Sequence, residues 1–559
     1  MTFNGQAFLG YQLPELLDTK MVKGIPVTLK QLEQWFSDLP LLNVQQLSSQ
    51  IPRYIYKINR LPISDVQRFL ILERLRPTVD YLYDSIIKKI NGRSLYLSKE
   101  YREFERLTRE LILGMAIGYQ RLLFNKAKHK PSFFSRNKYR LLAQRVIYYL
   151  GEQVRVSYLF SMAVPKNIWK DLNASYAFSL YFRLNKGNIT DQFTYHHSNK
   201  GTIENLYYRV LLLAMTSPYS LRNGELEQIY FGLESWLDDI TLTKKVDTYS
   251  FGYAIEIYSD IGPVYIEELK PEQKYLRVDS SKLLYKLKRW LESDTPPRSA
   301  AKKGMSAKLL RHLISNLDSS KRGIRERLDS DGEQVEIIIG LQNIQNFLQH
   351  VNAIISSNVV DQISMNNKDE DANNIWGRRL ESSWDLDQHY ESSAAPSLYK
   401  TQNRSGDRIE PSVRRHIFTI VNKSETSVCV SCNSLHGNGL CIGELMIMRA
   451  DNSESWTLGV VLWMNLSDKQ LKAGLFLLSA KADWVTVDKM GTNDDVSIDA
   501  LWLAGDEQDD TLFLTRAEFK TGDYLTLNYH GEDLSVTLTD TVWHSEGFAQ
   551  FKFIVGAVE

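Results

Sequence analysis

The sequence predicts an α+β, multidomain protein: an all-α helical N-terminal region followed by an antiparallel β-barrel and further C-terminal β strands. Three observations predict it. Apolar residues recur at three- and four-residue spacing through the first half and at two-residue spacing through the last third, the periods of helix and strand. Two stretches between these regimes lose their apolar content. The length, 559 residues, exceeds what one hydrophobic core fills, since cores stop growing near ~250–300 residues.

The helical region spans 1–292. Phe69, Leu72, Leu75, Val79, Leu82 and Ile86, then Leu107, Leu111, Met115, Gly118 and Leu122, fall three or four apart, so each set shares one helix face. Ser64-Asp65 before the first run is a helix N-cap, and Pro131, Pro165, Pro218, Pro263 and Pro271 punctuate the rest at spacings suited to helix hairpins. No 30–40-residue repeat signature is visible, so the helices are not a recognisable solenoid. Aromatics such as Trp35, Tyr54 and Tyr81 at helical spacing read as core.

Residues 293–320 gather Pro, Ser, Gly and Lys and read as a linker. A β-barrel follows over 321–484, with an insertion at about 341–407. From about 356 this insertion reads as flexible, because MNNKDEDANN and ESSAAPSLYKTQNRSGD lack apolar side chains to offset ordering entropy. Short β-branched or aromatic runs, Val335 to Gly340, His416 to Val421, Ser427 to Cys432, Leu445 to Arg449, Thr457 to Met464 and Leu471 to Leu478, supply the strands. Residues 485–559 continue as a C-terminal β extension or second small β unit.

Composition and motifs point away from catalysis. Lys plus Arg equals Asp plus Glu at 67 each, so no whole-chain field draws the protein to a nucleic acid polymer or an anionic surface, and any anion must meet a local cluster. GxxxxGK[ST], GxSxG, HExxH and GxGxxG after a strand are all missing, so no catalytic residue is assigned and no cofactor is implied. His196-His197 is the best acid–base pair, but adjacent residues point different ways. Cys429-x-x-Cys432 with Cys441 has zinc-like spacing, yet a strand places the first two on opposite faces, so no metal site is assigned. An odd cysteine count, no signal-like start and no apolar run near ~20 residues suit a cytoplasmic chain without a membrane span. The basic stretch Asn125 to Arg140 reads as a solvated inter-helix loop.

One constellation rises above this background. In KRGIRERLDSDGEQVEIIIGL, Lys321, Arg322, Arg325 and Arg327 directly precede a strand, and much later Asn422-Lys-Ser424-Glu-Thr-Ser427 turns between two strands. Guanidinium forks grip phosphate bidentately and stack on planar rings, and an Asn–Ser turn presents polar side-chain partners. The pairing resembles the PilZ family, whose RxxxR arm precedes the first barrel strand and whose (D/N)xSxxG loop joins the second to the third. WTLGVVLWM and LKAGLFLL resemble its later strands. Here Lys321 stands at the first arm position and Ser427 at the loop glycine. A rival arm, Arg404 to Arg408, spells RxxxR literally, but no strand separates it from His416 to Val421.

The resemblance implies a cyclic di-GMP-responsive or degenerate PilZ-type regulatory adaptor. It would bind nucleotide through the arm and the NxSxxS loop, and a protein partner through its helical half. The alternative is a ligand-free scaffold in a bacterial motility, pilus or envelope pathway.

Overall fold

The computed structural model describes residues 5–18, 24–39, 44–91, 99–190, 200–222, 224–244, 252–269, 275–292, 305–318, 328–329, 332–349, 414–424, 427–433, 440–450, 456–467, 470–478, 482–489, 497–503, 510–515, 519–529, 532–544 and 548–556. The chain divides into two compact units, Met1–Lys321 and Arg322–Glu559.

In the first unit, helices α1 (Gly5–Leu9), α2 (Leu29–Ser37), α3 (Val44–Arg60), α4 (Asp65–Asn91), α5 (Lys99–Lys126) and α6 (Arg136–Leu159) come first. They are followed by α7 (Ile168–Tyr181), α8 (Ile203–Met215), α9 (Glu225–Leu233), α10 (Ser281–Glu292) and α11 (Ala307–Leu317). The caps are local and legible. Ser64 Oγ accepts from the Gln67 amide and Gln67 Oε1 accepts from the Ser64 amide, closing a capping box at the start of α4, and Thr28 with Gln31 does the same for α2. The periodic residues Leu72, Leu75, Val79, Leu82 and Ile86 of α4, and Leu107, Leu111, Met115 and Leu122 of α5, are all buried. Gly118 lets α5 come close: a Cβ there would lie 2.8 Å from Leu72 and 2.9 Å from Asn59.

Two expectations for this half need correction. Residues 241–279 carry a four-stranded antiparallel sheet in the order β3-β6-β4-β5, formed by β3 (Thr241–Thr243), β4 (Tyr253–Ile255), β5 (Val264–Tyr265) and β6 (Leu276–Asp279); β1 (Ile189–Thr190) pairs with β2 (Lys200–Gly201) elsewhere. The region is therefore not all-α. Strands of two to four residues are too short to show a period, and this sheet depends on cross-strand packing such as Tyr253 opposite Tyr265, ring centroids 4.2 Å apart. The segment 293–320 is also not a linker throughout, because it contains α11. Ser306 caps that helix by accepting from Leu309 N, and Leu309, His312 and Leu313 are buried. No helix among the described residues is long and apolar enough to cross a membrane.

In the second unit, β8 (Gln334–Ile339), β9 (His416–Lys423), β10 (Ser427–Asn433), β13 (Gln470–Leu477), β12 (Thr457–Leu466) and β11 (Leu445–Ala450) pair in that cyclic order, every neighbour antiparallel, so six strands close a barrel. A short strand β7 (Leu328–Asp329) adds to β9. The register puts Val335, Ile337, Phe418, Ile420, Val430, Met446, Val461 and Ala473 on one face, and all are buried, which marks the barrel interior. Gly474 is required by packing, since a Cβ there would lie 1.9 Å from Trp463 Nε1.

The outward face is apolar too. Ile338, Leu445, Ile447, Leu458 and Val460 pack against Leu341, Ile344, Phe347 and Leu348 of α12, a helix over 341–349, together with Leu501, Leu503, Phe513 and Phe548. Those last four belong to a second closed barrel, β14 (Ala482–Lys489), β15 (Ile498–Leu503), β16 (Thr511–Leu514), β17 (Tyr524–Tyr529), β18 (Glu532–His544) and β19 (Ala549–Val555), ordered β14-β15-β16-β19-β18-β17. Gln345 Nε2 donates to Asp499 O at 2.7 Å, tying α12 to β15. The start of the insertion is thus a structural wedge between barrels, and 356–407 lies outside the described residues. The first barrel ends with β13, before the expected boundary at 484, because β14 pairs only within the second.

Candidate functional site

The site is built at the end of the β9–β10 hairpin. Asn422 lies opposite Cys429 and Lys423 opposite Val428 in the ladder, and Ser424 closes the turn. Its amide donates to Ser427 O at 2.8 Å, its hydroxyl meets Ser427 Oγ at 2.7 Å, and Ser427 N donates back to Ser424 Oγ at 3.2 Å. Serine side chains that bond nearby backbone are the usual clamp of such turns. Asn422, Ser424 and Ser427 are all half-buried, so this cluster of polar groups is held in place yet reachable. Ser427 opens β10, and the non-glycine residues with left-handed backbone among those described are Ser161, Asn167, Arg183 and Ser217. Nothing in the backbone at Ser427 requires glycine.

The same strand end receives β7. Leu328 pairs with Lys423 and Asp329 with Asn422, so the chain leaving the basic run 321–327 is hydrogen-bonded to the two residues that begin the loop. Lys321, Arg322, Arg325 and Arg327 themselves lie outside the described residues, as do Arg404 and Arg408 and the His196-His197 pair. In the sequence Arg325 precedes Leu328 by three residues. Arg408 instead precedes His416, at the far end of β9 from Asn422.

Sequence reasoning did not find β7, nor the role of Glu333 beside it. Glu333 O accepts from Ile420 N at 2.8 Å and its carboxylate sits 3.5 Å from Lys423 Nζ. Gly332, at φ +82°, lets the chain make the bulged turn between β7 and β8, which run in the same direction along one edge of β9. The Asp331-Gly332 dipeptide was the available signal for that turn.

The cysteines sit as strand parity requires. Cys432 shares the inward face with Val430 while Cys429 is on the other, both are buried and outside any disulfide, and burial pushes the Cys432 thiol up to about 11. Among the described residues no group of three or more His, Cys, Asp or Glu is placed to hold a metal ion.

A closed six-stranded antiparallel barrel, entered from a basic segment and carrying an Asn-x-Ser turn between its second and third strands, is the architecture of a PilZ domain. Family models identify it further: residues 253–483 match the middle PilZ domain of the cyclic-di-GMP receptor FimW, and residues 30–246 match that receptor's N-terminal domain. The chain is thus homologous to this receptor, with a PilZ domain in its C-terminal half. The cyclic-di-GMP receptor FimW of Pseudomonas aeruginosa is 21% identical over 559 residues, covering 94% of this chain and 90% of its own length. No solved structure matches the chain. The matched middle domain starts at β4, inside the helical unit, and ends at 483, so the second barrel from β15 onward lies beyond both models.

Proposed function

We propose that this chain is a cyclic di-GMP-responsive regulatory adaptor that acts by binding, not by catalysis, in the cytoplasm. Arg322 and Arg325, with Lys321 and Arg327 around them, hold the phosphates and stack on guanine; Asn422, Ser424 and Ser427 meet the base edge and backbone. The observation that carries the reading is the pairing of Asp329 with Asn422, which ties the exit of the basic run to the loop. Arg404 and Arg408 feed the opposite end of β9 and are the weaker arm. Homology to a cyclic-di-GMP receptor supports the ligand.

Calorimetric titration of the parent, Arg325→Ala and Arg404→Ala with cyclic di-GMP tests it. Charge-assisted hydrogen bonds to phosphate predict a loss of about 1.5–3 kcal/mol for Arg325→Ala, roughly ten- to a hundred-fold, and little for Arg404→Ala. Equal affinities for parent and Arg325→Ala would remove this arm; no heat from any protein would leave a ligand-free scaffold.

The partner site we assign to the helical unit. A groove of about 740 Å³ between α3, α5 and the 12–14 segment has Pro14, Pro52 and Leu113 in its wall and Arg53, Lys57 and Arg60 among its lining residues. An apolar wall with cations beside it fits an acidic, amphipathic segment of a partner protein.

A further inference from the structure

The connection between α5 and α6 has a composition and a shape that nucleotide sensing does not use. No Asp or Glu occurs between Glu110 and Glu152, while Lys126, Lys128, Lys130, Arg136, Lys138 and Arg140 crowd fifteen residues. The loop after α7 extends the pattern with Arg183 and Lys186, and no acid occurs between Asp171 and Asp191. Among the described residues, the acids Asp65 and Glu204 near this end are engaged: Asp65 accepts from Asn125 Nδ2 at 2.8 Å and Glu204 accepts from Asn185 Nδ2 at 3.1 Å.

At the tip of this cationic end stand Phe133 and Phe134, 88% and 93% exposed. They are the two most exposed large apolar side chains described, and they adjoin. Leaving both in water forgoes about 1.5–3 kcal/mol each. The exposure is imposed by a rigid turn. Ser132 N donates to Ser135 Oγ at 2.9 Å, Ser135 N donates to Ser132 Oγ at 3.3 Å, and the two hydroxyls meet at 3.0 Å. Below them Tyr139 Oη donates to the carbonyls of Lys126 and His129 at 2.7 and 2.6 Å, and Arg136 Nη2 donates to Arg183 O at 2.6 Å, fastening the turn to α5 and to the loop after α7.

We infer that this loop is a membrane-docking wedge: Phe133 and Phe134 enter the acyl boundary of an anionic bilayer while Lys128, Lys130, Lys138, Arg183 and Lys186, all exposed, meet its headgroups. The partner follows from the chemistry. A convex apolar tip inside a cationic ring complements a surface that is anionic outside and apolar beneath. Single-stranded nucleic acid is less well served, because the rings pack edge to face at 5.6 Å and 88° and do not stand as separate stacking platforms. Docking is peripheral, resting on two aromatics and local charge.

Sedimentation of the full-length protein with phosphatidylethanolamine vesicles carrying about a third phosphatidylglycerol, and with phosphatidylcholine vesicles, tests this. The parent sediments with the anionic vesicles only, and added salt weakens it. Phe133→Ser with Phe134→Ser lowers partition roughly tenfold or more, and Lys128→Glu with Lys130→Glu and Lys138→Glu does likewise, with melting curves unchanged because these side chains are exposed. Phe134→Trp fluorescence is quenched by brominated acyl chains, which reports insertion and not mere adsorption. The wedge is overturned if the parent fails to bind phosphatidylglycerol vesicles, if the double serine variant binds them as the parent does, or if a single-stranded oligonucleotide is retained in place of vesicles with the same dependence on Phe133 and Phe134.

Discussion

The helical unit and the barrel unit solve the problem of burying a chain in different ways. In the helices, Arg68, Arg76, Arg145, Arg155 and Arg209 are almost fully buried. Arg145 of α6 grips Glu73 of α4 through Nε at 3.0 Å and Nη2 at 3.3 Å, with Tyr119 Oη donating to the same carboxylate at 2.6 Å. Burial pushes the Glu73 carboxyl up, but Arg145 and Arg76 outweigh it and hold it below the ordinary carboxylate range. Arg155 joins Glu152 at 2.8 Å to Glu227 of α9 at 2.6 Å and lies 4.2 Å from the Tyr230 ring centroid. In the barrels the buried polar residues described are few, Gln345, His416, Ser431, Thr511, Asp523 and Gln550, and the clusters are apolar. A closed ladder satisfies its own backbone and asks the side chains only to fill space, whereas neighbouring helices are separate objects that charge networks can lock in register. The helical unit should therefore be broken by removing a charge, and the barrel unit by removing volume.

The largest expected effect tests the first half of that contrast. Arg155→Leu leaves Glu152 and Glu227 buried without their cation, and should cost the helical unit about 3–5 kcal/mol. Denaturant unfolding followed by far-UV dichroism should show the helical transition moving while the β transition stays; a loss below about 1 kcal/mol would mean the network is ornamental.

Phe347→Ala tests the second half. This side chain of α12 is 4% exposed and packs edge to face on Trp456 at 4.9 Å, so its truncation should cost the barrel unit about 3–5 kcal/mol. A near-neutral result would detach α12 from the barrels.

Acid should separate the units next. Burial lowers His312, which sits 2.7 Å from Thr216 O, to about 4, so its neutral form is favoured in the fold. The unfolded chain takes up that proton first, and stability falls as pH drops from the ordinary imidazole range toward 4, by about 2 kcal/mol between pH 7.5 and 5. Asp171 runs the other way: burial raises it to about 6 against the hydrogen bond from Gln120, so the fold takes up its proton first and regains about 1 kcal/mol over the same interval. The parent should change by less than about 1 kcal/mol, and Asp171→Asn should uncover the full His312 loss. In the second barrel, burial pushes Asp523 up but Lys489 and Lys520 hold it low, so that contribution survives until pH falls below the ordinary carboxylate range. Thermal melts of the parent, Asp171→Asn and His312→Gln across pH 7.5 to 4 check the signs at His312 and Asp171.

The smallest effect lies at the candidate site. Ser424→Ala removes the hydroxyl bridge to Ser427 and should cost the barrel about 0.5–1.5 kcal/mol, measured by denaturant midpoint. A loss several-fold larger in cyclic di-GMP affinity than in stability would mark Ser424 as a ligand contact as well as a clamp.

Much of this contrast is written locally in the chain. The Ser64–Gln67 box and the three-and-four spacing of α4 and α5 are encoded within a few residues of one another, so helix starts and faces are legible without a partner. The same holds for the two-residue alternation that marks β8 to β13, and for the NxSxxS turn, where residues of type and spacing carry the chemistry. The sheet at 241–279 was not legible, because strands of two to four residues contain no period; α11 carries its cap Ser306 and Leu309, Leu313 and Leu317 at helical spacing, but these were obscured by the Pro-, Ser- and Lys-rich stretch before it.

By itself, then, the sequence determined the long helices and the barrel strands, several of their caps and turns, and that a basic run and an Asn–Ser turn exist to be brought together. Only the tertiary structure decided that β9 pairs with both β8 and β10 to close the ring, that β7 lays the end of the basic run on Asn422, and that α12 fills the space between two barrels. The physical reason is distance along the chain. Asp329 and Asn422, or Gln345 and Asp499, are separated by many residues whose local preferences say nothing of one another, and such contacts are chosen by which closure leaves no sheet edge open and no apolar face in water.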